Sequence, residues 1–191
     1  MKALAFNGSP RHNGNTFSML SMVLSELKDQ GFDTELVQLG GRLIRGCTAC
    51  RACSEMRNGK CIMDDDIVNE CIIKMSGADA IILGSPTYFG DINPEIKALI
   101  DRAGLVSRAN GDLFSRKVGA AVIAVRRTGA LHAFDSINHF FLINDMIVPG
   151  SSYWNMSLSR DIGDFDNDVE GKATMKRLAE NISWLVEKTK T

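Results

Sequence analysis

Residues 2–16 read KALAFNGSPRHNGNT and join an apolar, strand-like run to a loop rich in glycine, hydroxyl and amide groups. An amphipathic helix follows, with Phe17, Leu20 and Leu27 on one face. Strand, glycine loop and helix together form a typical phosphate site, because the backbone can approach the anion and the N–H groups of the helix N-terminus point at it. The sequence therefore predicts an anion site here, and an ordinary βα turn of the same composition is the alternative.

The loop differs from two common nucleotide-binding motifs. The Walker motif reads GxxxxGK[S/T], whereas five residues separate Gly8 from Gly14 here and Asn15-Thr16 follow. The dinucleotide fingerprint GxGxxG is also missing from this loop. The pattern favours a phosphate-bearing ligand of another class.

Composition indicates one soluble globular domain over residues 1–191, with 45% hydrophobic and 24% charged residues. The net charge of −1 argues against nucleic acid or an anionic membrane as a partner. No apolar run approaches the ~20 residues of a membrane helix, and Met1-Lys2 leads directly into the first strand without room for a signal peptide. We therefore expect a cytoplasmic protein, whose cysteines favour metal or redox chemistry over disulfides.

Strand-like and helix-like segments alternate along the chain, which predicts a parallel sheet between helices. The pattern matches a flavodoxin-like, doubly wound α/β fold with strand order 2-1-3-4-5, helices on both faces and a cysteine-rich loop at about 40–63 after strand 2. Residues 151–167 are predicted as a loop. The strands are predicted at Lys2–Asn7, Thr34–Leu39, Asp79–Gly84, Val118–Val125 and about Met146–Val148.

Three loops are expected to meet at the carboxyl edge of this sheet, after strands 1, 3 and 4. The second, 85–90, offers two aromatic rings and a glycine, which suit a flat heteroaromatic ring. The third, 126–129, is a cationic turn whose guanidinium could stabilise an anionic reduced flavin. Taken alone, the second loop could be a plain turn with core aromatics, and the third a solvated charge pair.

Four cysteines within fifteen residues have the spacing Cys47-x2-Cys50-x2-Cys53-x7-Cys61. This is close to ferredoxin-type ligation of a [4Fe–4S] cluster, although Ile62 replaces the proline that follows the last ferredoxin cysteine. Zinc and a metal-free thiol loop are the alternatives. Residues 40–63 hold few large apolar side chains, so we expect a metal centre to order them. Cys71 shares an apolar helix face and is predicted to be a core residue.

Three motifs resemble the flavodoxin-like NAD(P)H-dependent FMN reductases: GSPRxxGNT at 8–16, SPxYxG at 85–90 and PxxKxxxDR at 94–102. The cysteine loop resembles that of the iron–sulfur flavoproteins within this family. The resemblance implies that the first loop binds the FMN phosphate and that the other two contact the isoalloxazine ring. The residues so implied are Ser9, Arg11, Asn15, Thr16, Phe17 (through its amide), Pro86, Thr87, Tyr88, Phe89, Gly90, Arg126, Arg127, Thr128 and Gly129, with Cys47, Cys50, Cys53 and Cys61 as metal ligands.

The predicted function is an FMN-dependent oxidoreductase that passes electrons between a [4Fe–4S] cluster and FMN. The expected partners are a redox donor such as ferredoxin or NAD(P)H and a small-molecule acceptor, and the resemblance implies a homodimer or tetramer. One alternative is an NAD(P)H-dependent FMN or quinone reductase without a cluster. A zinc-stapled anion-binding regulatory module is an alternative of another class.

Overall fold

Five strands form one parallel sheet in the order β2-β1-β3-β4-β5, which confirms the predicted topology. The structure is a computed structural model that describes residues 1–189, so the last two positions of the predicted domain lie outside the described residues. The strands are β1 Lys2–Asn7, β2 Asp33–Gln38, β3 Ala80–Pro86, β4 Val118–Val125 and β5 Met156–Leu158.

Six α-helices flank the sheet within the described residues. No helix among residues 1–189 combines the length and apolarity needed to cross a membrane. A short 3₁₀ turn, Asp164–Asn167, precedes the last helix. The helices are α1 Asn15–Asp29, α2 Ala52–Met56, α3 Val68–Gly77, α4 Pro94–Ala109, α5 Ala130–Ile143 and α6 Val169–Thr189.

Side chains that alternate along the strands build a separate core on each face of the sheet. Leu4 and Phe6 point to the face covered by α3, α4 and α5. Ala3 and Ala5 point to the opposite face, where α1 and α6 pack. Cys71 lies in the first core with no solvent exposure, as its helical spacing predicts.

The predicted position of the fifth strand is wrong. Residues 146–148 make only one isolated bridge, between Ile147 and Val118, and the strand lies at 156–158 in the segment predicted as a loop. Pro149 lacks the N–H that a continuing ladder needs, so the chain leaves the sheet there. It returns when the buried Asn155 carbonyl accepts the Ile123 N–H at 2.9 Å. β5 consequently pairs with the carboxyl-terminal half of β4.

Polar residues near the starts of three helices have different roles. Asp168, directly before α6, accepts the Gly171 N–H at 2.8 Å and caps that helix, whereas Asp66, one residue before the N-cap of α3, accepts the Val68 N–H at 3.0 Å. Asn93 occupies the N-cap position of α4 without a capping side-chain bond. Its side-chain amide instead donates to the Gly8 carbonyl at 2.7 Å, so that α4 is tied to the first loop.

Gly8 lies where three segments meet without room for a side chain. A Cβ atom there would stand 2.4 Å from Asn93 Oδ1, 2.5 Å from Ile96 Cγ1 and 2.8 Å from the Gly84 carbonyl oxygen. The Gly84 oxygen is backbone that cannot move alone, because it also accepts the Gly8 N–H at 2.8 Å. The first loop therefore approaches β3 closely only because residue 8 is glycine.

We predict that Gly8→Ala lowers the free energy of unfolding by about 1–3 kcal/mol, the usual cost of overpacking. Gly77→Ala is the matched control, because a Cβ at Gly77 would meet no atom within 4 Å. Alanine is also the better helix former there. Urea unfolding of both variants measures the difference, and equal stability of the two would contradict the tight packing at Gly8.

Candidate functional site

The first loop, residues 8–14, is held in place from β2. Gln38 Nε2 donates to the carbonyl oxygens of Ser9 and Gly40 at 2.7 and 2.8 Å, and Gln38 Oε1 accepts from Asn7 Nδ2 at 2.7 Å. Inside the loop, the Ser9 hydroxyl accepts the Arg11 N–H at 3.2 Å. These bonds set the loop before any ligand arrives.

The N-terminus of α1 is open toward an anion. Gly14 is the N-cap in extended conformation, it offers no side-chain cap, and the first turn of α1 holds no acidic residue. The backbone N–H groups of a first helical turn have no intrahelical partners, and together they carry a partial positive charge. The arrangement suits a phosphate group.

A cavity of about 290 Å³ lies beside this helix end at the carboxyl edge of the sheet. The structure brings eight of the predicted flavin residues to its wall. Asn15 reaches it with its side-chain amide already engaged, since Nδ2 donates to the Asp161 carbonyl and Oδ1 accepts the Phe165 N–H. The eight are Ser9, Arg11, Asn15, Thr16, Pro86, Thr87, Tyr88 and Arg126.

The remaining predicted residues surround the cavity without forming its wall. Phe89 and Gly90 form the tip of a tight turn, closed by reciprocal backbone hydrogen bonds between Tyr88 and Asp91 at 2.8 and 3.0 Å. This leaves the Phe89 side chain fully exposed, although it was expected beside the ring. Gly129 packs on Gly90, since a Cβ on Gly129 would stand 2.9 Å from Gly90 Cα. Phe17, Arg127 and Thr128 are also absent from the wall.

Three residues of the cavity wall were not predicted from the sequence: Ala124, Ser159 and Arg160. Ser159 and Arg160 directly follow β5, and the Arg160 carbonyl accepts a hydrogen bond from Arg11 Nη1 at 3.1 Å. The rule that sites form at carboxyl ends of parallel strands would have found both residues if the fifth strand had been placed correctly.

Thr87 has an unpaired polar atom in the wall of this cavity. Its Oγ1 atom is buried in the cavity wall and has no hydrogen-bond partner among the described residues. Buried polar atoms are nearly always paired, because an unpaired one costs about 1–3 kcal/mol. A ligand with polar ring atoms would supply the partner.

A second cavity of about 140 Å³ lies between the cysteine loop and α4. All four predicted ligands line it, namely Cys47, Cys50, Cys53 and Cys61. Among residues 1–189, no three His, Cys, Asp or Glu side chains are grouped closely enough to hold a metal ion. The four thiols therefore share one cavity but are not grouped at metal-ligand distances. As donors, thiolates suit zinc or an iron–sulfur cluster.

Hydrogen bonds join the cysteine loop to the body of the domain. Asn69 Oδ1 accepts the Cys61 N–H at 2.7 Å, and Asn69 Nδ2 donates to the Cys61 carbonyl at 2.9 Å. Asn110, at the C-terminal end of α4, accepts the Gly59 N–H at 2.8 Å. Polar contacts thus replace the apolar packing that this segment lacks.

Arg102 closes the base of the loop. Its Nη1 pairs with Asp66 and donates to the Arg45 carbonyl at 3.2 Å, while Nη2 donates to the Met63 carbonyl at 2.8 Å. Burial disfavours the charge, but the neighbouring Asp66 and Cys61 side chains outweigh this effect and raise the pKa of the Arg102 guanidinium. The two ends of the cysteine loop, at Arg45 and Met63, are therefore connected through one permanently charged and fully buried side chain.

The five cysteines differ in environment. The exposed Cys50 has its thiol pKa lowered by a backbone hydrogen bond from Ala52 and then by the Thr48 hydroxyl, both of which favour the thiolate. Burial raises the pKa of the Cys71 thiol to about 12. Thiolate is the metal-binding form, so this contrast separates Cys50 from the core cysteine Cys71.

Comparison with known families identifies the family of the chain. Residues 1–161 match the profile of the family described as NADPH-dependent FMN reductase. The chain belongs to the NADPH-dependent FMN reductase family. Membership supports FMN binding and flavin-dependent oxidoreductase chemistry.

Relatives place the chain among the iron–sulfur flavoproteins of this family. One from Methanocaldococcus jannaschii is 34% identical over 98% of both chains. Another, from Methanosarcina thermophila, is 32% identical over 98% of this chain and 96% of the other. In fold the chain is similar to RosB, solved with a bound riboflavin-5′-phosphate derivative, at a TM-score of 0.76 and 17% identity over all of this chain and 80% of that one.

We predict that Thr87→Val weakens FMN binding about threefold to tenfold, the range expected for one hydrogen bond. The free energy of unfolding without FMN should stay the same or rise, because the hydroxyl has no partner in the described structure. Flavin fluorescence titration and urea unfolding of the apoprotein measure the two effects.

Ser85→Ala is the matched control. The buried Ser85 hydroxyl already accepts the Asn93 N–H at 3.0 Å, so its loss should destabilise the apoprotein. An apoprotein destabilised equally by Thr87→Val would show that Thr87 serves the fold and not the ligand.

Proposed function

We propose that this protein is an FMN-dependent electron-transfer flavoprotein that also carries a [4Fe–4S] cluster on Cys47, Cys50, Cys53 and Cys61. The observation that carries the proposal is that α4 connects the first loop with the cysteine loop. The Asn93 side chain at its start donates to the Gly8 carbonyl of the first loop, and the middle of α4 forms one wall of the four-cysteine cavity.

The flavin end of the proposal rests on the first cavity. The open N-terminus of α1 would bind the phosphate, with Ser9, Arg11 and Thr16 around it. Pro86, Thr87 and Tyr88 would line the ring, and Arg126 would place positive charge beside it. FMN supplies two-electron chemistry and a cluster one-electron chemistry, so a protein with both can convert between the two modes.

The cluster end of the proposal rests on the shape of the cysteine loop. Ala49 and Arg51 flank Cys50 at φ of +54° and +63°, a left-handed conformation that costs non-glycine residues ~1 kcal/mol or more each. The Ala49 N–H already donates to Cys47 Sγ at 3.3 Å. Strain of this kind persists where function requires it, and N–H groups aimed at sulfur stabilise bound thiolates.

A second candidate is an NAD(P)H-dependent FMN or quinone reductase without a cluster. It is favoured by the family description and by the thiols of the described residues, which are not grouped at ligand distances. A zinc-stapled regulatory module would instead require colourless protein that contains zinc. The net charge of −1 gives no support for a nucleic-acid partner.

The partners in this proposal are a ferredoxin-like or NAD(P)H donor and a small-molecule acceptor, in the reducing cytoplasm, where thiolates remain available to metal. A homodimer or tetramer is part of the proposal. Exposed aromatic side chains near β5, Tyr153 and Trp154, are suited to such a contact, and they already pack edge to face with ring centroids 4.7 Å apart.

We predict that Cys50→Ser removes iron and sulfide from anaerobically purified protein while FMN content is unchanged, because the flavin cavity is built from other loops. Cys71→Ser should retain both and lose about 1–3 kcal/mol of stability, since it places a hydroxyl in an apolar core. Metal, sulfide and flavin analysis of the purified proteins decides the ligand set. Full iron in Cys50→Ser, or iron loss in Cys71→Ser, would refute it.

We also predict that a reduced ferredoxin-like donor bleaches the flavin faster than NADPH does in cluster-loaded protein, because the first loop lacks a dinucleotide fingerprint. Stopped-flow absorbance with each donor measures the two rates. The Cys50→Ser protein is the control, in which the ferredoxin rate should collapse and the NADPH rate should not. Rapid reduction by NADPH alone, indifferent to cluster loss, would instead support the cluster-free reductase.

A further inference from the structure

Arg102 presents one donor that its structural role does not use. Both terminal nitrogens are engaged, by Asp66 and by the Arg45 and Met63 carbonyls. The Nε atom is buried and has no hydrogen-bond partner within residues 1–189. A guanidinium cannot give up its proton, so this donor and its charge are permanent.

The unused donor belongs to the wall of the thiol cavity. Arg102 lines the cavity together with all four cysteines. The side chain is 0% exposed, so bulk solvent does not reach it. A buried N–H without a partner is rare, and the cavity that Arg102 helps to line has a volume of about 140 Å³, several times the ~30 Å³ share of one water.

Other cations of the loop are placed differently. Arg51 lines the same cavity but is exposed, Arg57 is exposed, and Arg45 pairs with Asp65 at the surface. Their charges are screened by solvent, whereas the charge of Arg102 acts through the protein interior. Among the cationic side chains near the thiol cavity, Arg102 should therefore have the largest electrostatic effect on a group bound there.

We propose that Arg102 is a positioning residue that donates Nε–H to the sulfur of a metal centre in this cavity and raises its reduction potential. The inference rests on the cluster of the proposed function. Hydrogen bonds to cluster sulfurs and nearby positive charge stabilise the reduced, more negative state. The residue that closes the loop is thus also the one that sets how readily the centre accepts an electron.

A redox titration monitored by electron paramagnetic resonance tests this in cluster-loaded protein. Arg102→Met should shift the one-electron reduction equilibrium toward the oxidised state about tenfold, which corresponds to a potential lower by 59 mV. Arg102→Lys keeps the charge, loses Nε–H and should fall between. Arg57→Met removes the same charge from an exposed position of the same loop and should shift the equilibrium less than about twofold.

Asp66→Asn separates the electrostatic role from loosening of the loop. It weakens the Arg102 anchor but removes a negative charge, so the potential should stay the same or rise. If the reduction potential falls equally in Asp66→Asn and Arg102→Met, Arg102 only holds the loop in place, and the inference is overturned. So would an unchanged potential in Arg102→Met with full iron content.

A measurement on the wild-type sequence guards against variants that fail to load. Protein carrying isotopically labelled guanidinium nitrogen should show hyperfine coupling between a nitrogen and the reduced cluster, and Arg51→Lys should retain it. A loaded, reduced wild-type protein without this coupling overturns the inference alone. A wild-type protein without iron and sulfide overturns the cluster proposal and the inference together.

Discussion

The buried side chain of Asn93 connects the parts on which both sites depend. Its amide donates to the Gly8 carbonyl, its backbone N–H donates to the Ser85 hydroxyl, and α4 begins at the next residue. Two loops from neighbouring strands and one helix are thereby fixed relative to each other without solvent access. Because the Asn93 position is 0% exposed, each of these hydrogen bonds is expensive to leave unmade.

From this anchor, α4 extends to the cysteine loop. Arg102 follows Asn93 by nine residues, which is about 14 Å along a helix axis. A buried ion pair such as that between Arg102 and Asp66 adds little net stability, because desolvation offsets the attraction. Its contribution is better understood as specificity: the pair and its carbonyl partners determine where the loop begins and ends on the helix. Asn110 then holds the far side of the loop at the end of the same helix.

Strand order and the two-sided core could be predicted because continuous apolar runs identify strands that are buried on both faces. The fifth strand could not, since Met156–Leu158 is short and two of its three residues reach solvent, so it carries no clear apolar signal. That one displacement concealed Ser159 and Arg160 from the predicted site. The exposed tip at Phe89 was equally hidden, because the tight turn between Tyr88 and Asp91 depends on local backbone hydrogen bonds that composition does not reveal.

The sequence by itself determined the fold class, the glycine-rich loop after β1 and the grouping of four cysteines in one segment, because these follow from local periodicity, glycine placement and spacing. Only the tertiary structure decided which loop residues face the cavity, that the cysteine loop is held by Asn69, Asn110 and Arg102, and that Thr87 and Arg102 each keep a buried polar atom unused among the described residues. The physical reason is that burial and hydrogen bonding depend on contacts between residues far apart in the chain. Arg102 and Met63, for example, are separated by 39 positions and meet only in the folded protein.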